Sequence, residues 1–324
     1  MSTGAQALID TLINAGVDTC FTNPGTSEMH FVAALDHTEM RAILCLFEGV
    51  ATGAADGFAR MTDRPAATLL HLGCGIGNGL ANLHNARKAR VPMINIIGDH
   101  ATYHVQYDVQ LQSDIETVAR NCSTWVRTSA STEQLAADAA EAVRVAAGPP
   151  AQISTLILPA DVSWNDGASA VAAEAAATPA PADDTVVQQI AEVLGSGKKT
   201  ALLLGRRVLL EDGLRAASRI AEKTGAKLFC EVFPTRLQRG AGLPHVERIA
   251  YLAEMASVQL NEFEHIVLVD ARAPATFFAY PGKKSYLVPD HCELHNLVEP
   301  EQDALGSLAK LVDAVDATDT PPTL

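Results

Sequence analysis

Short apolar runs alternate with helical patterns along almost the whole chain, and this alternation limits the folds open to it. The apolar runs are 17–21, 42–47, 66–72, 92–97, 153–158, 200–204, 227–230, 265–270 and 285–288. The helical patterns are 3–15, 27–36, 49–61, 78–89, 111–121, 131–147, 212–224, 246–255 and 301–315. Wholly apolar strands are typical of a parallel sheet that is covered on both faces. We therefore predict an α/β fold with two doubly wound parallel-sheet domains.

One segment interrupts the alternation. It runs from 164 to 184 and contains an alanine-rich stretch followed by Pro179 and Pro181. Proline and alanine without periodicity are typical of an extended linker. We predict a first domain at 1–163, a linker at 164–184, a second domain at 185–315 and a tail at 316–324. A length of 324 residues fits two domains.

The charge of the chain argues against several partners. Lys plus Arg number 24 and Asp plus Glu number 38, so the net charge is −14. A protein this acidic lacks the basic surface that binds nucleic acid or anionic membranes. No apolar run reaches the roughly 18 residues of a membrane span, and residues 1–6 lack the basic start of a signal peptide. The six cysteines include no C-x-x-C pair and read as reduced, mostly buried thiols. We expect a cytoplasmic protein.

A turn with the sequence Asn23-Pro24-Gly25-Thr26 follows the first apolar run. Ligands of doubly wound sheets bind at the carboxyl ends of the strands, where this turn lies. The helix start just after it also offers unpaired backbone N–H groups. The structural alternative is an ordinary turn between a strand and a helix.

Glu48 ends the second apolar run and precedes a helix rich in glycine and alanine. A partly buried carboxylate at this place suits proton exchange with a ring nitrogen. The alternative is a glutamate that caps the helix.

Three alternate glycines, Gly73, Gly75 and Gly77, follow the third apolar run. They match neither the dinucleotide fingerprint nor a Walker loop. We predict a loop whose backbone comes close to a ligand or a subunit, since glycines are otherwise costly there.

Together these motifs resemble the pyrimidine-binding domain of thiamine diphosphate enzymes of the acetolactate synthase and benzoylformate decarboxylase group. The likeness rests on the Asn23-Pro24-Gly25 turn, on Glu48 within Phe-Glu-Gly-Val-Ala, and on Gly73-x-Gly75-x-Gly77-Asn78. It covers essentially the whole chain, and residues 185–315 resemble the family's central domain.

The resemblance implies a mechanism. A glutamate that matches Glu48 bonds N1′ of the cofactor's aminopyrimidine and so activates the thiazolium, which adds to a 2-oxo acid for decarboxylation and carboligation. His71 fits the position of a proton-transfer histidine, and the alternative is a buried structural histidine. A homo-oligomer is also implied. The residues expected to bind the pyrimidine end of the cofactor are Pro24, Gly25, Thr26, Gly73, Gly75, Gly77 and Asn78.

The sequence departs from the family in two ways. Cys74 stands where the glycine loop usually has proline, and no Gly-Asp-Gly motif occurs anywhere. In the family that motif belongs to a third domain, which holds Mg²⁺ and the diphosphate. We expect Mg²⁺ to bind only when that domain is present. The domain would come from a partner chain or would be missing because of truncation, and we expect the isolated chain to be inactive. The alternatives are a non-catalytic regulatory paralogue and a 2-oxo acid decarboxylase of the benzoylformate type.

Three further motifs are weaker. His291, Glu293 and His295 would share one face of a strand, and His291 and His295 would share one face of a helix. No fourth ligand is near in sequence, so we expect a structural or surface role and no metal site. His100 and His104 lie in a predicted loop, where a substrate-facing role stays open. By the same resemblance, residues 205–207 and 212–213 lie where related synthases bind a flavin, but without a dinucleotide fingerprint FAD is not predicted.

Overall fold

A computed structural model describes residues 2–172, 174 and 176–324. The chain divides into two compact units, Met1–Thr178 (unit 1) and Pro179–Leu324 (unit 2). The division falls inside the segment 164–184. In the part of the chain described, no helix is both long enough and apolar enough to cross a membrane.

Unit 1 contains eight strands and seven α-helices among the described residues. The strands are β1 (Ser2–Thr3), β2 (Thr19–Asn23), β3 (Arg41–Leu44), β4 (Ala66–His71), β5 (Met93–Asp99), β6 (Trp125–Thr128), β7 (Ile153–Pro159) and β8 (Asp166–Ala168). The helices are α1 (Gly4–Asn14), α2 (Met29–Ala34), α3 (Glu48–Thr62), α4 (Leu72–Ala89), α5 (Ile115–Ala119), α6 (Thr132–Ala147) and α7 (Ala160–Trp164).

Six strands of unit 1 form one parallel sheet in the order β3-β2-β4-β5-β7-β6. Alternate residues of its strands enter two separate cores. Leu69 and Ile96 pack with α1 and α6 on one face, whereas Leu70 and Ile97 pack with α3 and α4 on the other. Burial on both faces explains why these strands are continuously apolar.

The elements of unit 2 are α8 (Asp184–Gly195), β9 (Thr200–Leu204), α9 (Glu211–Thr224), β10 (Lys227–Cys230), β11 (Glu247–Arg248), α10 (Ala253–Leu260), β12 (His265–Val269), β13 (Glu293–Asn296) and α11 (Ala304–Ala314). Unit 2 repeats the architecture of unit 1, with five parallel strands in the order β11-β10-β9-β12-β13. Two apolar clusters cover its two faces, one with α8, α9 and α11 and the other with α10. The α/β class with two doubly wound parallel sheets is therefore confirmed.

The predicted glycine loop is wrong, because Gly73, Gly75 and Gly77 all lie inside α4. The glycines of this helix instead permit close packing. A Cβ on Gly79 would lie 2.8 Å from Cγ2 of Thr52 in α3. Small residues thus bring the two helices together, whereas sequence analysis predicted that this segment approaches a ligand or a subunit.

Other differences lie at the edges of the sheets. The predicted strand at 285–288 is wrong, since only an isolated bridge joins Tyr286 to Ala275. The predicted helix at 246–255 is replaced by β11 and, later, α10. Sequence analysis missed β6 and did not decide whether the segment of β13 is a strand or a helix. These two strands pair on one side only, and they carry exposed or polar side chains instead of an apolar run.

Candidate active site

The sheet of unit 1 reverses its direction of growth between β2 and β4. The chain passes from β2 outward to β3 and then returns to place β4 on the other side of β2. Such a switch point opens a crevice at the carboxyl ends of the strands. The turn after β2, the start of α3 after β3 and the start of α4 after β4 all lie at this edge.

Glu48 is the first residue of α3 and is 7% exposed. Its Oε2 accepts a hydrogen bond of 3.0 Å from Nδ2 of Asn78. Its Oε1 accepts no hydrogen bond from any residue that the structure describes, and a Cβ on Gly75 would lie 3.3 Å from it. The carboxylate is therefore held by one oxygen and offers the other to a ligand.

Contacts between α3 and α4 fix this arrangement. Thr52 Oγ1 is buried 3.0 Å from the carbonyl of Glu48 and 3.1 Å from that of Gly79. Nδ2 of Asn82 donates to the carbonyl of Gly49 at 2.6 Å. Buried polar groups with satisfied hydrogen bonds hold their elements in one relative position. Glu48 and Asn78 are thus positioned by the packing of their helices.

A second cluster surrounds Glu28, whose side chain is fully buried. Its carboxylate accepts hydrogen bonds from the backbone N–H of Gly25 at 2.7 Å and from Oγ of Ser27 at 2.8 Å. Nδ1 of His71 lies 2.8 Å from Oε2 of Glu28. A Cβ on Gly98 would lie 1.6 Å from Oε1, so only glycine leaves room for this carboxylate.

Glu28 orients His71. A carboxylate at Nδ1 favours the tautomer with the proton on that nitrogen, which leaves Nε2 as an acceptor. No described residue hydrogen-bonds Nε2, and the His71 side chain is 21% exposed. Leu72, the next residue, has a φ of +54°. A buried leucine in the left-handed region costs about 1–2 kcal/mol, and such strain gathers at functional sites.

The remaining predicted residues lie in different surroundings. The structure groups Glu48, Gly75 and Asn78 in one cluster and Gly25 and His71 in another. Pro24 is half-buried and Thr26 is exposed, both in the turn after β2.

The other two glycines differ from each other. Gly77 is exposed, and a Cβ there would meet no atom within 4 Å. Gly73 instead packs against a loop, since its Cβ would lie 2.0 Å from Oγ of Ser113.

Sequence analysis assigned no role to Glu28 or Asp99. The signal for Glu28 was its position three residues after Gly25, where a short 3-10 helix returns its carboxylate to the Gly25 N–H. Asp99 ends β5, and burial raises the pKa of its carboxyl group, with the nearby charge of Glu28 adding to the effect. His100 follows, and its Nε2 is buried with no hydrogen-bond partner in the described structure.

Comparison with known proteins gives three kinds of match. Residues 2–120 match the family model of the thiamine pyrophosphate enzyme N-terminal TPP binding domain. The "Putative acetolactate synthase large subunit IlvX" of Mycobacterium tuberculosis is 58% identical over 310 residues, which are 94% of this chain and 59% of that protein. Benzoylformate decarboxylase of Pseudomonas aeruginosa is 31% identical over 234 residues, which are 69% of this chain and 43% of that protein.

A solved structure matches the whole chain. It is the X-ray structure of "a putative thiamin diphosphate-dependent enzyme" from Mycobacterium smegmatis, with a TM-score of 0.85 and 26% identity. The match covers 100% of this chain and 65% of that one. The present chain thus spans less than two thirds of the length of each of these three proteins. The resemblance stated from the motifs is confirmed.

Proposed function

We propose that this chain, whose residues 2–120 match the family model of the thiamine pyrophosphate enzyme N-terminal TPP binding domain, forms the pyrimidine-binding part of an acetolactate synthase-like enzyme that uses thiamine diphosphate. The proposed substrates are 2-oxo acids, which the enzyme decarboxylates and joins to an acceptor. The diphosphate and Mg²⁺ are held by a further domain, from a partner chain or from the rest of a longer polypeptide.

The observation that carries the proposal is the environment of Glu48. Oε2 is fixed by Asn78, while Oε1 accepts no hydrogen bond from the described residues. An aminopyrimidine placed against this carboxylate would have its ring nitrogen within reach of Oε1, and the residues present therefore fit the group. Thiamine diphosphate supplies carbanion stabilisation, and the protein supplies position and proton control. Glu48 would hold a proton between its Oε1 and the ring nitrogen of the aminopyrimidine.

The surface beside Glu48 supports the proposal that another domain or subunit completes the site. Leu46 is 92% exposed, and Phe47 and Val50 are about half exposed, all within two residues of Glu48. Contiguous exposed apolar side chains mark surfaces that another protein covers. A diphosphate-binding domain, or a second copy of the chain in a homo-oligomer, is the occupant that fits the proposal.

His71 favours decarboxylation as a second candidate function. Its Nδ1 is occupied by Glu28, and Nε2 is available to move a proton. Such a histidine suits an enzyme that protonates the decarboxylated product instead of joining it to an acceptor. The resemblance to benzoylformate decarboxylase agrees with this candidate.

A chimaera tests the proposal. Joining this chain to the part of the 58% identical relative that it does not match would supply the remaining domain. We expect the chimaera to bind thiamine diphosphate with Mg²⁺ in calorimetric titration and to consume pyruvate or benzoylformate. Glu48→Gln should lower turnover by about 10²–10⁴-fold, the contribution of a positioned acid or base. The amide still accepts the hydrogen bond from Asn78, so folding should be unaffected.

Glu211→Gln is the matched control, since Glu211 begins α9 as Glu48 begins α3 but lies exposed in unit 2. We expect it to leave turnover unchanged. Full activity of the Glu48→Gln chimaera would refute the role of Glu48. Turnover by the isolated chain would refute the need for a further domain. A folded chimaera that neither binds the cofactor nor turns over would favour the regulatory paralogue.

A further inference from the structure

A group of potential metal ligands lies in unit 2, at the amino ends of two neighbouring strands. His265 begins β12 and is 5% exposed, and Glu293 and His295 lie on the edge strand β13. His265 and Glu293 are Cα partners in the parallel register. Side chains two residues apart in a strand point to the same face, so all three residues lie on one face of the sheet.

Three donor atoms converge there. Nδ1 of His265 is 3.0 Å from Nε2 of His295. Oε2 of Glu293 is 3.4 Å from the first nitrogen and 3.9 Å from the second. A triangle with these sides has a point about 2.0 Å from all three corners, which equals the usual distance from Zn²⁺ to imidazole nitrogen and carboxylate oxygen.

We propose that His265, Glu293 and His295 bind a divalent transition-metal ion such as Zn²⁺. Two imidazoles and one carboxylate are a ligand set that Zn²⁺ favours, whereas Mg²⁺ prefers oxygen alone. The Glu293 side chain is 74% exposed, so solvent has access to a fourth coordination position. The metal would join the edge strand β13 to β12 through side chains, in addition to their backbone pairing.

The competing account is an N–H···N hydrogen bond between the two rings. One neutral imidazole would then donate its proton and the other accept it, and Glu293 would be an exposed carboxylate of little consequence. The two accounts predict different results, because only the metal site requires all three side chains and a particular cation.

Calorimetric titration of the full chain with Zn²⁺, after treatment with a chelator, tests the proposal. We expect saturable binding of one ion per chain. Glu293→Gln and His295→Gln should each weaken Zn²⁺ binding at least tenfold, because loss of even a hydrogen-bond partner of a metal ligand lowers metal affinity by about 10–100-fold. Both residues have exposed side-chain surface, so these variants should fold, as circular dichroism would verify. Mg²⁺ should neither bind at this site nor compete.

His291→Gln is the matched control. His291 lies in the same segment, but its Nε2 contacts the backbone carbonyl of Asn261 at 3.1 Å instead of the three donors. We expect it to leave Zn²⁺ affinity unchanged, and Co²⁺ should give a tetrahedral visible spectrum that His295→Gln removes. Absence of saturable one-to-one binding would overturn the proposal, as would unchanged affinity in His295→Gln. None of these readouts depends on thiamine diphosphate.

Discussion

Gly98→Ala should destabilise unit 1 by about 3 kcal/mol or more, although it adds only one methyl group. The new Cβ would lie 1.6 Å from Oε1 of Glu28 and 2.5 Å from its Cδ, so the carboxylate must leave its place. Glu28 is fully buried and has hydrogen bonds to Gly25, Ser27 and His71. Hydrogen bonds to a charged group contribute about 1.5–3 kcal/mol each, and not all of the three need be lost.

Tryptophan fluorescence in urea gives a suitable assay. The chain has two tryptophans, Trp125 and Trp164, and both belong to unit 1. Their signal therefore follows unfolding of unit 1 alone. With a slope of about 1–3 kcal/mol per molar urea, a loss of 3 kcal/mol lowers the midpoint by about 1–3 M.

Two comparisons make this prediction specific. Gly57→Ala, at an exposed position of α3 with no atom within 4 Å of the new Cβ, should instead raise the free energy of unfolding by about 0.5–1 kcal/mol. In the double variant Gly98→Ala with Glu28→Ala the clash is gone. The pair should then cost no more than the worse single change, within about 0.5 kcal/mol. Additive costs, or a Gly98→Ala variant as stable as Gly57→Ala, would refute the reasoning.

Three other changes test separate parts of the site. Gly77→Ala should stabilise α4 by about 0.5–1 kcal/mol in urea, yet weaken calorimetric binding of thiamine diphosphate to the chimaera about tenfold if the open face of Gly77 receives the cofactor. Stabilisation with unchanged affinity would remove Gly77 from the cofactor site. Thr52→Val should cost about 1 kcal/mol in the same urea assay, because it removes a buried hydroxyl bonded to carbonyls of α3 and α4; an unchanged midpoint would contradict this. Burial raises the pKa of Asp99 above its ordinary 3.8, so ionisation favours the unfolded state and stability falls as pH rises above about 4. Asp99→Asn should remove that fall, and equal pH profiles of the two proteins would show the assignment to be wrong.

The fold and the location of the candidate site were accessible from sequence because both depend on local patterns. Continuous apolar runs predicted buried parallel strands, and most were found within two residues of their expected positions. The Asn23-Pro24-Gly25 turn and Glu48 were assigned to strand ends from their neighbours in the chain. Edge strands were harder to predict, because β13 is exposed and shows no apolar run.

Tertiary structure decided which of these residues meet. Glu28 and His71 are 43 residues apart, and His265 and His295 are 30 apart. The first pair forms because β2 lies beside β4, so that the 3-10 helix after β2 places Glu28 next to His71, and the second forms because β12 lies beside β13. The glycines after β4 also depend on tertiary structure. They lie in the helix α4, which packs closely against α3, and not in the predicted loop. The sequence by itself determined the α/β class and the buried central strands through the local pattern of its apolar residues. The pairing of Glu28 with His71 and of His265 with His295 depended on contacts between distant segments, which local periodicity does not encode.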